Sequence, residues 1–263
     1  MQTLSLITAS YNRAHTIRDT IRSVNTQTFP HIDHIFIDGV SKDESVAIIN
    51  AEAQRAPTVV SEPDKGFYDA YNKGLALAKG DIIGFINSDD FYVHDRVIER
   101  VMKVFEDPSV DAVHADLVYV KQDDPMKVVR HWHSRDLTPA LMRRGFIPAH
   151  PTVFLRRSVY DRAGGFDLDY KLAADYEFLL RAFYTHAIKA VYLPEIWVRM
   201  RTGGATGGAM NDIKRQNDEI RKAQEKHDVV YPASKFFVHK VLNRIGQHVR
   251  GRFVTLPAPS FAR

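Results

Sequence analysis

The chain contains no cysteine among its 263 residues. That excludes disulfide staples and any metal centre built on thiolates. It also lacks an apolar run of the roughly 18 to 20 residues that a membrane-spanning helix needs. Leu4 to Ala9 is a short apolar stretch with no basic residue before it, and it runs at once into Tyr11-Asn12-Arg13, so it does not read as an export signal. A cytoplasmic protein is expected, soluble or peripheral on the inner face of the membrane. No Gly-x-Gly-x-x-Gly follows the first apolar run, which argues against a dehydrogenase. There is no internal repeat and no low-complexity tract. Acidic residues stop at Asp228, yet Lys235, Lys240, Arg244, Arg250, Arg252 and Arg263 lie beyond it. Such one-sided charge points to an anionic partner surface. The basic tail is short and holds no recognised module, so nucleic acid is not the expected partner.

What remains is ordinary globular composition, 44% hydrophobic and 26% charged, with a net charge of +4. Strand and helix signals alternate through the first half. Leu4–Thr8, Ile32–Ile37, Thr58–Ser61 and Asp81–Ile86 read as strands. Helical spacing falls at Thr16–Val24, Ser41–Ala53 (with Asp43 as a candidate cap), Tyr68–Ala78 and His94–Phe105. A short strand is expected at Ala112–His114. The second half is less regular. Extended segments flank Asp123-Asp124-Pro125, strands are expected at Thr152–Leu155, Ala190–Leu193 and Ile196–Met200, and a helix at Ala174–Phe183. Thr202–Gly208 holds four glycines in seven residues and reads as a mobile loop. A last helix, Ser234–Val249, places Val238, Leu242, Ile245 and Val249 on one face, which suits either packing on the domain or lying on an anionic membrane.

Alternation of this kind predicts an α/β fold, a mostly parallel central sheet with helices on both faces. Ligands of such sheets bind at the carboxyl ends of the strands. Ser10-Tyr11-Asn12, Asp38 and Ser88-Asp89-Asp90 all follow strands directly and should meet on one rim. Two adjacent carboxylates at a strand end repel each other and are costly to hold near a core. A magnesium or manganese ion, which takes oxygen ligands, would remove that cost. The competing reading of the pair is a solvated, helix-capping turn.

Six stretches, in this order, resemble the family 2 glycosyltransferases of GT-A fold: Ile7-Thr-Ala-Ser-Tyr-Asn12, Ile37-Asp-Gly-Val-Ser-Lys-Asp43, Glu62-Pro-Asp-Lys-Gly-Phe-Tyr-Asp-Ala-Tyr-Asn-Lys-Gly74, Ala78-Lys-Gly-Asp81, Phe85-Ile-Asn-Ser-Asp-Asp90 and Ala174-Asp-Tyr-Glu-Phe178. The Glu-Pro-Asp block resembles a bacterial subgroup that builds cell-surface polysaccharides and glycolipids. The resemblance implies an inverting transferase that moves a sugar from a nucleoside-diphosphate-sugar to an acceptor hydroxyl, on a glycan or lipid-linked precursor. It implies a GT-A domain over 1–210, with a nucleotide-sugar half (1–116) and an acceptor half (117–210), followed by a basic amphipathic extension (211–263).

Roles follow by resemblance. Asp38 receives the nucleobase edge with Tyr11 stacked beside it, which leaves uracil, thymine and guanine open. Thr8, Ser10, Asn12 and Ser88 sit in the same donor pocket, and Lys65, Asp69 and Asn72 lie near the donor. Asp89 contacts ribose, and Asp90 with Asp89 holds manganese or magnesium. The family often shows Asp-x-Asp; here Asn87 takes the first position. Asp175 is the expected catalytic base, since inverting transfer needs a carboxylate beside the acceptor hydroxyl. Glu177 should point elsewhere, and an N-cap is the competing role for Asp175. Arg201 or the Gly203-Gly204 amides would offset charge on the leaving diphosphate. His150 is a candidate for phosphate, metal or acceptor contact, set against a structural role. The alternatives are a nucleotide-sugar binding module without activity and a sugar nucleotidyltransferase. The latter usually opens with a glycine-rich loop, which Ala9–Arg13 lacks.

Overall fold

The computed structural model describes residues 2–203 and 210–262. The glycine-rich stretch from Gly204 to Gly208, and with it part of the expected phosphate loop, lies outside the described residues. The first half is built as β1 (Leu4–Ser10), α1 (Ile17–Asn25), β2 (Ile32–Asp38), α2 (Ser45–Glu52), β3 (Thr58–Ser61), α3 (Phe67–Leu77) and β4 (Ile82–Phe85). β5 (Phe91–Tyr92), α4 (Val97–Val104), β6 (Ala112–Val120), β7 (Val128–Trp132), α5 (Pro139–Arg143), β8 (Phe154–Arg156), α6 (Arg157–Ala163), α7 (Ala174–Leu180) and β9 (Ala190–Arg201) follow. Two long helices, α8 (Met210–Lys226) and α9 (Ala233–Gly251), complete the chain.

The nine strands among the described residues form one sheet in the order β3-β2-β1-β4-β8-β6-β9-β5, with β7 also paired to β6. β3, β2, β1 and β4 are mutually parallel, and every residue of β1 is buried. Burial on both faces suits a strand whose polar residues are only the small Ser5, Thr8 and Ser10. Beyond β4 the sheet becomes mixed, because β8 runs antiparallel to both β4 and β6. α1 turns Ile17, Ile21 and Val24 inward, and α3 approaches β1 closely at Gly74, where a Cβ would stand 2.4 Å from Ile7.

Several expectations from sequence are refined. Ala190–Leu193 and Ile196–Met200 are one strand, β9, whose register against β6 slips between His114 and Asp116. Pro194, which has no N–H to donate, lies at that irregularity and imitates a break in the sequence pattern. The expected Ala112–His114 strand extends to Val120 and forms a hairpin with β7. α7 is shorter than its pattern, passing into a π-turn at Arg181–Thr185. α8 carries no continuous apolar stripe in sequence, but Ile220 and Ala223 join the main core, as does Phe236 of α9. Glu177 does turn away from the rim. It is fully buried, and Arg181, Lys226 and His227 bond it, so that α7 is tied to α8 by ionic contacts.

Candidate active site

The Ser88–Asp90 turn is held from below by α1. Thr16 and Thr20 sit one helical turn apart, and their hydroxyls donate to the carbonyls of Ser88 (3.0 Å) and Asp90 (2.7 Å). This turns the Asp90 carboxylate inward, where it is 0% exposed. Asn87 Nδ2 donates to Asp90 Oδ2 at 2.6 Å. Asn87 therefore fixes the neighbouring carboxylate. Arg201, at the end of β9, donates its backbone N–H to Asp90 Oδ1 (3.3 Å) and Nη1 to the Asp89 carbonyl (2.8 Å), and its guanidinium also pairs with Asp19. Burial and then the adjacent Asp89 push the Asp90 carboxyl well above the usual carboxylate range. Oxygen donors in a desolvated, like-charged pair are the environment that a divalent cation stabilises. Asp89, half-buried, leaves one side of the pair reachable.

α3 joins this turn to Asp175. Tyr68 and Tyr71 are three residues apart and so share a helix face. Tyr71 donates to Asn87 Oδ1 at 2.8 Å, and Tyr68 donates to Asp175 Oδ1 at 2.9 Å. Burial raises both phenols, and Tyr71 feels Asp90, Asp175 and Asp89 together, so both stay protonated donors. Asp175 is the second residue of α7 and not its N-cap, which is Ala173. Burial pushes its carboxyl up, while the bonds from Tyr68 and the Tyr176 N–H partly oppose that rise. Asp175 opens onto a cleft of about 530 Å³.

The rest of the rim lies at the ends of β1 and β2. Gly39 N–H donates to the Ser10 carbonyl, and Asn12, with φ of 52°, bonds Ser41 and Lys42. Val40, a β-branched residue, is held at φ of 63°, a strained conformation that persists only where its surroundings impose it. The Asp38 carboxylate is buried and accepts from the Ser41 N–H (2.8 Å), Ser41 Oγ (2.5 Å) and Ser61 Oγ (2.8 Å). Tyr11 stands beside this turn and is 55% exposed. Ser10 Oγ is buried with no partner among the described residues.

Other expected residues support the frame. Thr8 is fully buried beneath the rim, with its hydroxyl on His34 Nε2 (3.0 Å). Asn72 uses both polar atoms on the Phe166 backbone and so clamps α3 to the loop after α6. Asp69 accepts from the Lys65 N–H at 2.9 Å and so ties the preceding turn to the start of α3. His150 is packed among Tyr71, Phe85 and Phe166, and burial pushes its imidazole down to about 3. It sits neutral among core aromatics, which favours the structural alternative over a ligand contact. Sequence reading passed over Tyr68 and Tyr71 and a cluster on the β6–β7 hairpin. There Asp116 Oδ2 lies 2.8 Å from His131 Nε2 and 2.9 Å from His133 Nδ1, a group able to hold a metal ion. The His-x-His spacing at the end of a strand was the available signal.

Solved structures share this architecture. S. aureus TarS residues 1–349, in complex with UDP-GlcNAc, aligns with a TM-score of 0.67 at 17% identity, covering 95% of this chain and 75% of that one. The mannosyltransferase PcManGT from Pyrobaculum calidifontis, in complex with GDP-Man and Mn2+, aligns at 0.65 and 19%, covering 96% and 71%. Against a longer TarS chain the match spans 41% of that protein. The fold is thus that of the GT-A glycosyltransferases. Residues 5–163 match Glycosyl transferase family 2, and the chain belongs to that family. An uncharacterised glycosyltransferase of Mycobacterium tuberculosis is 34% identical over 183 residues, 68% of each chain. A PGL/p-HBAD biosynthesis glycosyltransferase of Mycobacterium bovis is 28% identical over 193 residues, 72% of this chain and 73% of that one.

Proposed function

We propose that the protein is a metal-dependent inverting transferase that moves a sugar from a nucleoside-diphosphate-sugar to a hydroxyl of a lipid-linked or polysaccharide precursor of the bacterial cell envelope. The observation that carries this reading is the bridge through α3, whose Tyr68 bonds Asp175 and whose Tyr71 bonds Asn87, the residue that holds the Asp90 carboxylate. The donors in the solved neighbours, UDP-GlcNAc and GDP-Man, support the donor class, and the Mn2+ of the mannosyltransferase supports the cation. The PGL/p-HBAD relative supports the glycan precursor.

The acceptor hydroxyl oxygen attacks the anomeric carbon, its proton passes to Asp175, and the bond from that carbon to the diphosphate oxygen breaks with its electron pair leaving on the diphosphate. Tyr68 orients the base. Asp90 and Asp89 would hold the divalent ion, which offsets their charge and that of the diphosphate. Arg201 stands beside them, and Tyr11 offers an open aromatic face for a base. A thermal-shift screen of nucleoside diphosphates, with and without manganese, tests the reading. Asp90→Ala should abolish the manganese-dependent shift. Asn87→Ala, which frees Asp90 from its clamp, should weaken metal affinity by about 10- to 100-fold. A shift unchanged by both variants would refute the metal assignment.

α9 supports association with an anionic membrane. No described helix is long and apolar enough to cross a bilayer. Yet Val238, Leu242, Ile245 and Val249 are all at least 50% exposed, while Gln247 is buried. Gly251 lies against the Arg130 backbone, where a Cβ would stand 2.8 Å away. The helix thus packs a partly polar side inward and leaves an apolar stripe, edged by Arg244 and Arg252, facing out. That arrangement suits the headgroup boundary of an anionic leaflet. Leu242→Asp with Ile245→Asp should reduce co-sedimentation with phosphatidylglycerol vesicles several-fold. Undiminished binding, or loss of a dimer in size-exclusion chromatography instead, would remove the membrane assignment.

A further inference from the structure

The cleft below Asp175 has a charge pattern that donor binding does not explain. Its walls come from the β6–β7 hairpin, the segment after α5, α8 and α9. Arg130, Arg135, Arg144, Lys240, Arg244 and Arg250 line it, and Asp175 is the one acidic residue among the described lining residues. Asp89, Asp90 and Arg201 are not part of it.

Several cations of the neighbouring helices are matched by carboxylates. Arg181 and Lys226 pair with Glu177, and Arg215 pairs with Glu219. By contrast, three of the lining cations lean on neutral groups. Arg130 stacks 3.5 Å from the Tyr119 ring centroid, Arg135 faces Phe146 at 5.1 Å, and Lys240 bonds Asn217. Arg130 is only 8% exposed. Burial, and then Arg244, push the Lys240 ammonium down to about 8. Arg130 and Lys240, both partly desolvated, stand with the exposed Arg244 as a like-charged group that an arriving anion would neutralise. Guanidinium clusters of this kind match the oxygens of phosphate better than a single carboxylate.

The same helix that supplies Lys240 and Arg244 supplies the outward stripe, and Leu242 belongs to both the cleft and that stripe. Resting on the glycosyltransferase reading above, we infer that the acceptor carries a phosphate or pyrophosphate group on an apolar chain, and that Arg130, Lys240 and Arg244 bind this group in the Asp175 cleft. The anion then fixes the register of the acceptor, so that its hydroxyl meets the base, while the apolar chain leaves along α9. Anchoring a remote part of the substrate in this way lowers the entropic cost of orienting the reacting hydroxyl.

Isothermal titration of the full chain with inorganic pyrophosphate and with farnesyl pyrophosphate tests the assignment. Both should bind, and Lys240→Gln with Arg244→Gln should weaken both by at least tenfold. The melting temperature should not fall, since two mutually repelling cations are removed, and the manganese-dependent response to nucleoside diphosphates should be unchanged. Arg135→Gln, on a different wall, gives a second variant should the double variant fail to fold. Tighter binding of farnesyl pyrophosphate is expected from the apolar chain, whereas equal affinity would overturn the lipid part of the inference and place the anion on a water-soluble acceptor. Binding that survives these changes but is lost in Asp90→Ala would put the anion in the donor pocket and overturn the inference. Loss of nucleoside diphosphate binding across the whole screen would instead defeat the transferase reading and leave the cleft result standing.

Discussion

Asp175→Asn should lower kcat by about 100- to 10,000-fold, the usual contribution of a positioned general base, while leaving the donor and metal response intact. Asparagine keeps an oxygen for the Tyr68 hydroxyl at the position where the two now lie 2.9 Å apart, so the wall of the cleft is preserved. What is lost is the ability to take a proton. The pH dependence follows from the direction of the shift. Burial raises the Asp175 carboxyl, so the base is protonated, and turnover falls, at a pH above the ordinary carboxylate range. Tyr68→Phe removes a bond that favours the ionised form. It should move the acidic limb of the kcat profile to still higher pH while sparing activity on the alkaline side. The sign for stability runs the other way. A carboxylate whose folded pKa is raised costs stability once pH rises through that value, so Asp175→Asn should raise the unfolding midpoint at neutral pH. A variant that turns over at the native rate removes Asp175 from the chemistry.

The rim was legible because it depends on local rules. Once β1, β2 and β4 are parallel, Ser10, Asp38 and the Asp89-Asp90 turn must emerge at the same edge, whatever the rest of the chain does. Tyr68 and Tyr71 sit inside one of the six motif stretches, yet their task is visible only when α3 is laid between residues 16 and 107 positions away. The cationic cleft is less readable still, since Arg130 and Arg244 come from opposite ends of the second half. α9 shows the division well. Spacing located the helix and its apolar face, but two opposite environments satisfy an amphipathic pattern equally. Only the packing of Gly251 on Arg130 and the burial of Gln247 settle which side faces out. β9 misled because a proline and a register slip in one strand resemble a gap between two.

The second large effect expected is acid sensitivity of the fold itself. Burial pushes His34 down to about 3, His114 to about 4 and His150 to about 3, so all three are neutral in the folded state at mildly acidic pH. An unfolded histidine takes up a proton near pH 6.5. Unfolding therefore absorbs protons below that pH, and stability that is fully present above about 6.5 falls as pH drops toward the folded values. At about 1.4 kcal/mol per pH unit for each group, the three together remove about 6 kcal/mol by pH 5. That is a large part of the 5–15 kcal/mol typical of a folded domain. Asp90 and Asp175 oppose the trend, since their raised carboxyls gain stability on protonation. The fall with pH should therefore be most even in the Asp90→Ala, Asp175→Asn background. Urea unfolding at pH 7.5, 6 and 5 reads the effect as a falling midpoint at constant slope. His150→Phe fits a site already walled by Tyr71, Phe85 and Phe166. It should remove about a third of the pH dependence while leaving stability at pH 7.5 nearly unchanged. A midpoint that stays level between pH 7.5 and 5 would mean that the three imidazoles reach water, and that the packing around β1, β2 and β6 is looser than the sheet geometry requires.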